Sequence, residues 1–122
     1  MLDARNPIAY AAGMSRETRG LRFAFDATAE IAPENSPKAA VSGRVTELSL
    51  QGCFVETAAS FDIHRAVLLK IFHSEEHVDA HATVLYLRAT GVGLVFRDVK
   101  AEHRDILQKW VLKALDSELA AQ

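Results

Sequence analysis

The hydrophobic period of this chain changes once, from two to helical, and that switch restricts the fold more than any other feature. Leu21, Phe23, Phe25, Ala27, Ala29 and Ile31 alternate with Arg22, Ala24, Asp26, Thr28 and Glu30. This is the period of a strand with one face buried. After a loop at Pro33–Pro37, Val41, Gly43 and Val45 resume the alternation, but Leu48 and Leu50 fall on the opposite parity. A slip of one residue turns every side chain to the other face, so the pattern predicts a bulge between Thr46 and Leu48. Further strands are expected at Cys53–Thr57, Ala66–Phe72, His77 to about Leu87 and Val92–Phe96, punctuated by Gly52, Ser74-Glu75-Glu76 and Gly91. Past Lys100, Ile106, Leu107, Trp110, Val111, Ala114 and Leu115 form one stripe at i, i+3, i+4 spacing. Six short strands and one terminal amphipathic helix describe a mainly β fold, an antiparallel barrel or rolled sheet that the helix covers through Trp110.

A chain of 122 residues suits one domain with one core, and 49% hydrophobic with 25% charged residues is ordinary globular usage. The reading is an N-terminal tail at 1–14, which has no sustained period and contains Pro7 and Gly13, then one domain at 15–118. The barrel takes about 21–97 of it and the helix about 101–118. A net charge of −2 argues against a DNA- or RNA-binding face. The one local basic cluster is Arg16, Arg19 and Arg22, at three-residue spacing with Glu17 among them. Cys53 is the only cysteine, which excludes an internal disulfide and a cysteine-rich zinc site. No run approaches a membrane span and the first residues lack a signal-peptide pattern, so a cytoplasmic location without membrane contact is expected.

His73, His77 and His81 are spaced by four near Glu75, Glu76 and Asp79. On a helix they would share a face, but Ser74-Glu75-Glu76 reads as a hairpin turn that separates them, and a structural or solvated role is expected rather than metal binding. No nucleophile elbow or comparable signature is present, so neither catalysis nor a cofactor is expected. The segment Val45-Thr46-Glu47-Leu48-Ser49-Leu50-Gln51-Gly52-Cys53-Phe54-Val55 leads one strand through an acidic-x-Ser-x-x-Gly turn into the next. Taken alone it is a hairpin, with serine bonding locally and glycine permitting close backbone approach.

Together the arginine cluster, the strand start at Arg22-Phe23, the segment from Val41 to Thr57, the strand Gly91-Val92-Gly93-Leu94-Val95-Phe96 and the final helix resemble the PilZ domain over about residues 15–115. The resemblance implies a six-stranded antiparallel β-barrel with a C-terminal α-helix and a receptor for the bacterial second messenger cyclic di-GMP. Binding members of that family grip the ligand with Arg-x-x-x-Arg ahead of the first strand and Asp/Asn-x-Ser-x-x-Gly on the barrel. Arg22 matches the second arginine; Ser49 and Gly52 match the serine and glycine. Thr18 stands where the first arginine is expected, leaving Arg16 and Arg19 as its substitutes, and Glu47 stands for the shorter Asp or Asn.

The ligand set implied is therefore Arg16, Arg19, Arg22, Glu47, Ser49 and Gly52. Guanidinium groups bind phosphate oxygens and stack on guanine, and a carboxylate accepts from guanine N–H groups. The alternative is a PilZ-type module that has lost the nucleotide and acts by protein–protein contact. A protein partner is expected in either case, and a homodimer stays open.

Overall fold

The computed structural model describes residues 22–120; the tail at 1–14 and the arginines Arg16 and Arg19 lie outside the described residues. Six strands follow in order: β1 (Phe23–Pro33), β2 (Val41–Leu48), β3 (Gly52–Glu56), β4 (Ala66–His73), β5 (Glu76–Arg88) and β6 (Gly91–Val99). A 3-10 turn at Ala101–His103 leads into helix α1 (Arg104–Ala120). The strands close into a barrel in the order β1-β2-β3-β6-β5-β4, every neighbouring pair antiparallel. Closure leaves no unpaired sheet edge.

The alternation in β1 is realised as expected: Phe23, Ala27, Ala29 and Ile31 are buried while Ala24, Asp26, Thr28 and Glu30 face out. The parity switch in β2 is a bulge, since Val45 pairs with Val55 but the next paired residue is Glu47, opposite Phe54. The bulge turns Glu47 outward and lets Leu48 enter the core.

Ser74 and Glu75 form a two-residue hairpin loop between His73 and Glu76, with φ of 49° and 68°. Two consecutive left-handed residues match the twist of the flanking strands, a geometry that Asn-Gly adopts with less strain than Ser-Glu.

Helix α1 packs across β1 and β5. Leu107, Trp110, Val111 and Ala114 are buried on its inner stripe, and Ile106 and Leu115 lie at its margin. Trp110 is 2% exposed, with its ring 5.6 Å from Phe25 and 5.5 Å from His73. Its indole Nε1–H donates to Glu76 at 3.4 Å, so the largest apolar residue of the helix also has its polar atom satisfied. No helix among the described residues is long and apolar enough to cross a membrane.

Candidate functional site

Pairing across the barrel places Glu47 of β2, Phe54 of β3, Gly93 of β6 and Tyr86 of β5 in one transverse row. Glu47 is there because of the bulge. Gly93 is there because a Cβ would stand 2.2 Å from the Tyr86 ring. Its missing side chain lets Phe54 and Tyr86 stack across the gap, with centroids 6.2 Å apart and planes 16° from parallel. An aromatic ring lying over a strand glycine covers backbone that would otherwise meet water.

Two arginines meet on this row from different parts of the chain. Arg22, just ahead of β1, sits 5.1 Å from the Tyr86 centroid and donates to the Tyr86 hydroxyl. Arg88, at the end of β5, lies 5.0 Å from Tyr86 and 4.9 Å from Phe54. Glu47 lies between them, 3.5 Å from Arg22 and 3.9 Å from Arg88. Both guanidinium groups are partly open to solvent, with side chains 30% and 53% exposed. The result is a partly open platform of two cations, one carboxylate and the Tyr86 ring, laid against Phe54, which is itself only 3% exposed.

Ser49 and Gly52 shape the turn beneath this row. Ser49 is 4% exposed; its Oγ accepts the N–H groups of Gln51 and Gly52, each at 3.1 Å, and donates to the Gly52 carbonyl at 3.2 Å. The hydroxyl is therefore engaged inside the turn. At Gly52 a Cβ would fall 2.0 Å from the Leu94 carbonyl oxygen, so glycine is what lets β3 pack directly on β6. Cys53, next along, is fully buried and its thiol is pushed up to about 12 by that burial, with Arg22 pulling weakly the other way. It packs as a core residue.

Of the six residues expected at the site, Arg22 and Glu47 meet on the platform, and Ser49 and Gly52 build the turn that carries it. Arg16 and Arg19 fall outside the described residues. Sequence reasoning missed Tyr86 and Arg88. The available signal was Tyr86-x-Arg88 at the end of a strand opposite Gly93: residues two apart share a face, and a glycine across from an aromatic marks a place where the ring can lie flat.

The histidines separate as the hairpin requires. His73 in β4 lies against Phe25, with ring centroids 4.5 Å apart and planes tilted by 41°, and its Nδ1 is 2.9 Å from the Asp26 carbonyl oxygen. His81 in β5 is 2.9 Å from Glu34, which also pairs with Arg97. The hydrogen bond with His81 holds the Glu34 carboxyl below the usual range, burial opposes the shift, and Arg97 adds to it. A groove of about 440 Å³ over β1, β4 and β5 is walled by Glu30, Lys70, His81, Asp98 and Lys100 among others. Charges of both signs around it leave no focused field for an anion.

The PilZ domain family model matches residues 15–113. The chain belongs to the PilZ domain family. Its fold is shared with the inhibitor of motility MotI/DgrA of Bacillus subtilis, at 17% identity and a TM-score of 0.64 over 76% of this chain and 48% of that one. The chain thus spans about half the length of that protein. The PilZ domain of CeSA from a cellulose-synthesizing bacterium aligns at 14% identity and a TM-score of 0.61, over 77% of this chain and 97% of its own. An uncharacterized Legionella protein aligns at 21% identity and a TM-score of 0.52, over 82% and 98%. No curated protein sequence matches.

Proposed function

We propose that this PilZ domain is a cyclic di-GMP receptor whose ligand lies on the Arg22–Tyr86–Arg88 platform, and that it works by binding, with no chemistry of its own. The observation that carries the reading is the convergence of Arg22 and Arg88 on one carboxylate over aromatic faces. Two guanidinium groups around one anion are the arrangement a phosphate needs, and a planar arginine or tyrosine face accepts a guanine. On binding, phosphate oxygens would replace Glu47 between the arginines, freeing that carboxylate for guanine N–H groups. Arg16 and Arg19 would close on the ligand from the N-terminal side, and the altered surface would be read by a protein partner. A relative that is an inhibitor of motility favours output of that kind.

The same salt bridges favour one second reading. With Glu47 already paired to both arginines and the Ser49 hydroxyl engaged in its turn, half of the platform's positive charge is offset without ligand. A module in that state would serve as a protein interaction domain only. Calorimetric titration of the full chain with cyclic di-GMP separates the two. A saturable signal that weakens in both Arg22→Ala and Arg88→Ala supports the receptor. A flat trace for the wild type gives the interaction module, and binding indifferent to both substitutions places the ligand elsewhere.

A further inference from the structure

The 3-10 turn ahead of α1 brings His103 against β5, where His77 and Asp79 stand two residues apart on the outward face. One ligand-type atom from each of these three side chains lies within 4.8 Å of the other two. The His77 and His103 rings meet edge to face at 4.8 Å. Asp79 Oδ1 is closed off from solvent and has no hydrogen-bond partner among the described residues. His77 Nε2 is 3.8 Å from it, too far for a hydrogen bond. A buried carboxylate oxygen without a donor is costly, and one aimed at two imidazoles is explained by a group that sits among all three.

Three hydrogen bonds seat the turn against β5. Lys100 N–H donates to the Asp79 carbonyl at 3.0 Å, His103 N–H to the Lys100 carbonyl at 2.8 Å, and Asp79 N–H to His103 Nδ1 at 3.0 Å. Nearby cations are engaged elsewhere, Lys100 with Glu102 and Lys109 with Glu76.

We propose that His77, Asp79 and His103 bind a divalent transition-metal ion of the zinc class, which ties the turn preceding α1 to β5. Two imidazoles and one carboxylate suit zinc, cobalt or nickel; magnesium and calcium favour oxygen ligands. Ligands ~2.1 Å from a tetrahedral ion stand about 3.4 Å apart, so the present spacing of up to 4.8 Å closes by up to about 1.4 Å, within reach of side-chain rotation. Water completes the coordination. His103 gives up one contact in return, because a neutral imidazole whose Nδ1 accepts from Asp79 keeps its proton on Nε2. Whichever nitrogen takes the metal, the Asp79 N–H is released, so metal capture and the seating of the turn are linked. The site is separate from the nucleotide platform and stands or falls without it.

The test uses the full chain, free of any affinity tag and stripped by chelation, titrated with Zn²⁺ by calorimetry and with Co²⁺ by visible absorption. One ion per chain is expected, with a rise in melting temperature on Zn²⁺ addition because the ion binds the folded state. Loss of a partner that merely orients a ligand costs a metal site 10–100-fold, so His77→Ala and His103→Gln should each weaken binding by at least about tenfold. Glutamine at 103 can still accept from Asp79 N–H, which separates lost coordination from lost folding. His64→Ala and His81→Ala should leave affinity unchanged. Absence of saturable Zn²⁺ binding, survival of binding in both cluster variants, or displacement of Zn²⁺ by millimolar Mg²⁺ would each overturn the proposal.

Discussion

The barrel carries two clusters made of the same ingredients, and they behave oppositely. Around Trp110, aromatic rings from β1, β4 and α1 meet a carboxylate, Glu76, that also pairs with Lys109. Around Tyr86, two rings meet a carboxylate, Glu47, that pairs with Arg22 and Arg88. The first lies beneath α1, and its indole is 2% exposed. Among the described residues no helix lies over the second, and its guanidinium groups keep contact with water. Residue chemistry alone does not separate a structural anchor from a binding platform; the presence of a covering element does.

The largest expected effect lies on the covered side. Trp110→Ala removes a fully packed ring and should destabilise the fold by ~3–5 kcal/mol in denaturant unfolding. A loss below about 1 kcal/mol, the size of an ordinary surface change, would show that α1 is not anchored there and would erase the contrast.

On the open side the expected loss is in binding, not in stability. Arg22→Ala should weaken cyclic di-GMP by ten- to a hundredfold, the equivalent of ~1.5–3 kcal/mol for a charge-assisted contact. Unfolding should move by no more than about 0.5 kcal/mol. On the proposed reading Arg16→Ala should cost less, because it is Arg22 that the resemblance matches to the family's arginine beside the first strand. Equal losses at the two arginines would mean that the cluster is aligned wrongly.

Shortening the platform carboxylate is a finer probe. Glu47→Asp draws the carboxylate back from both guanidinium groups and restores the family's shorter acid. Affinity should rise by about tenfold, or ~1.4 kcal/mol. Thr18→Arg, which recreates Arg-x-x-x-Arg with Arg22, should give a similar gain that shrinks in high salt because an exposed charge is screened. If the double variant and the wild type both fail to bind, the receptor reading falls to the interaction module.

The smallest effect is a pH dependence on the covered side. The hydrogen bond from Lys109 holds the Glu76 carboxyl below its ordinary 4.5; burial opposes the shift, and Trp110 adds to it. A lowered folded-state pKa contributes stability that is complete above 4.5 and lost as pH falls through the lowered value. Melting temperatures of wild type and Glu76→Gln should therefore differ at neutral pH and converge in acid. Parallel curves would show that the Glu76 contacts do not form.

Much of the fold was legible because its signals are local. Period-two alternation locates strands, an interrupted parity locates the bulge before Leu48, and the stripe around Trp110 locates the helix, since each depends on neighbours a few residues away. Arg22, Glu47, Ser49 and Gly52 were legible as members of a linear motif. What tertiary structure alone decided is who meets whom across the barrel. Tyr86 and Arg88 join the platform because β5 pairs with β6 at Gly93, and His103 reaches Asp79 because the chain turns back over β5 before entering α1. It also decided that Ser49 spends its hydroxyl inside the turn, since a motif letter does not record whether a side chain faces ligand or backbone. The physical reason is that alternation specifies which face a side chain takes, whereas register and closure, set by the sum of all strand pairings, specify its neighbours.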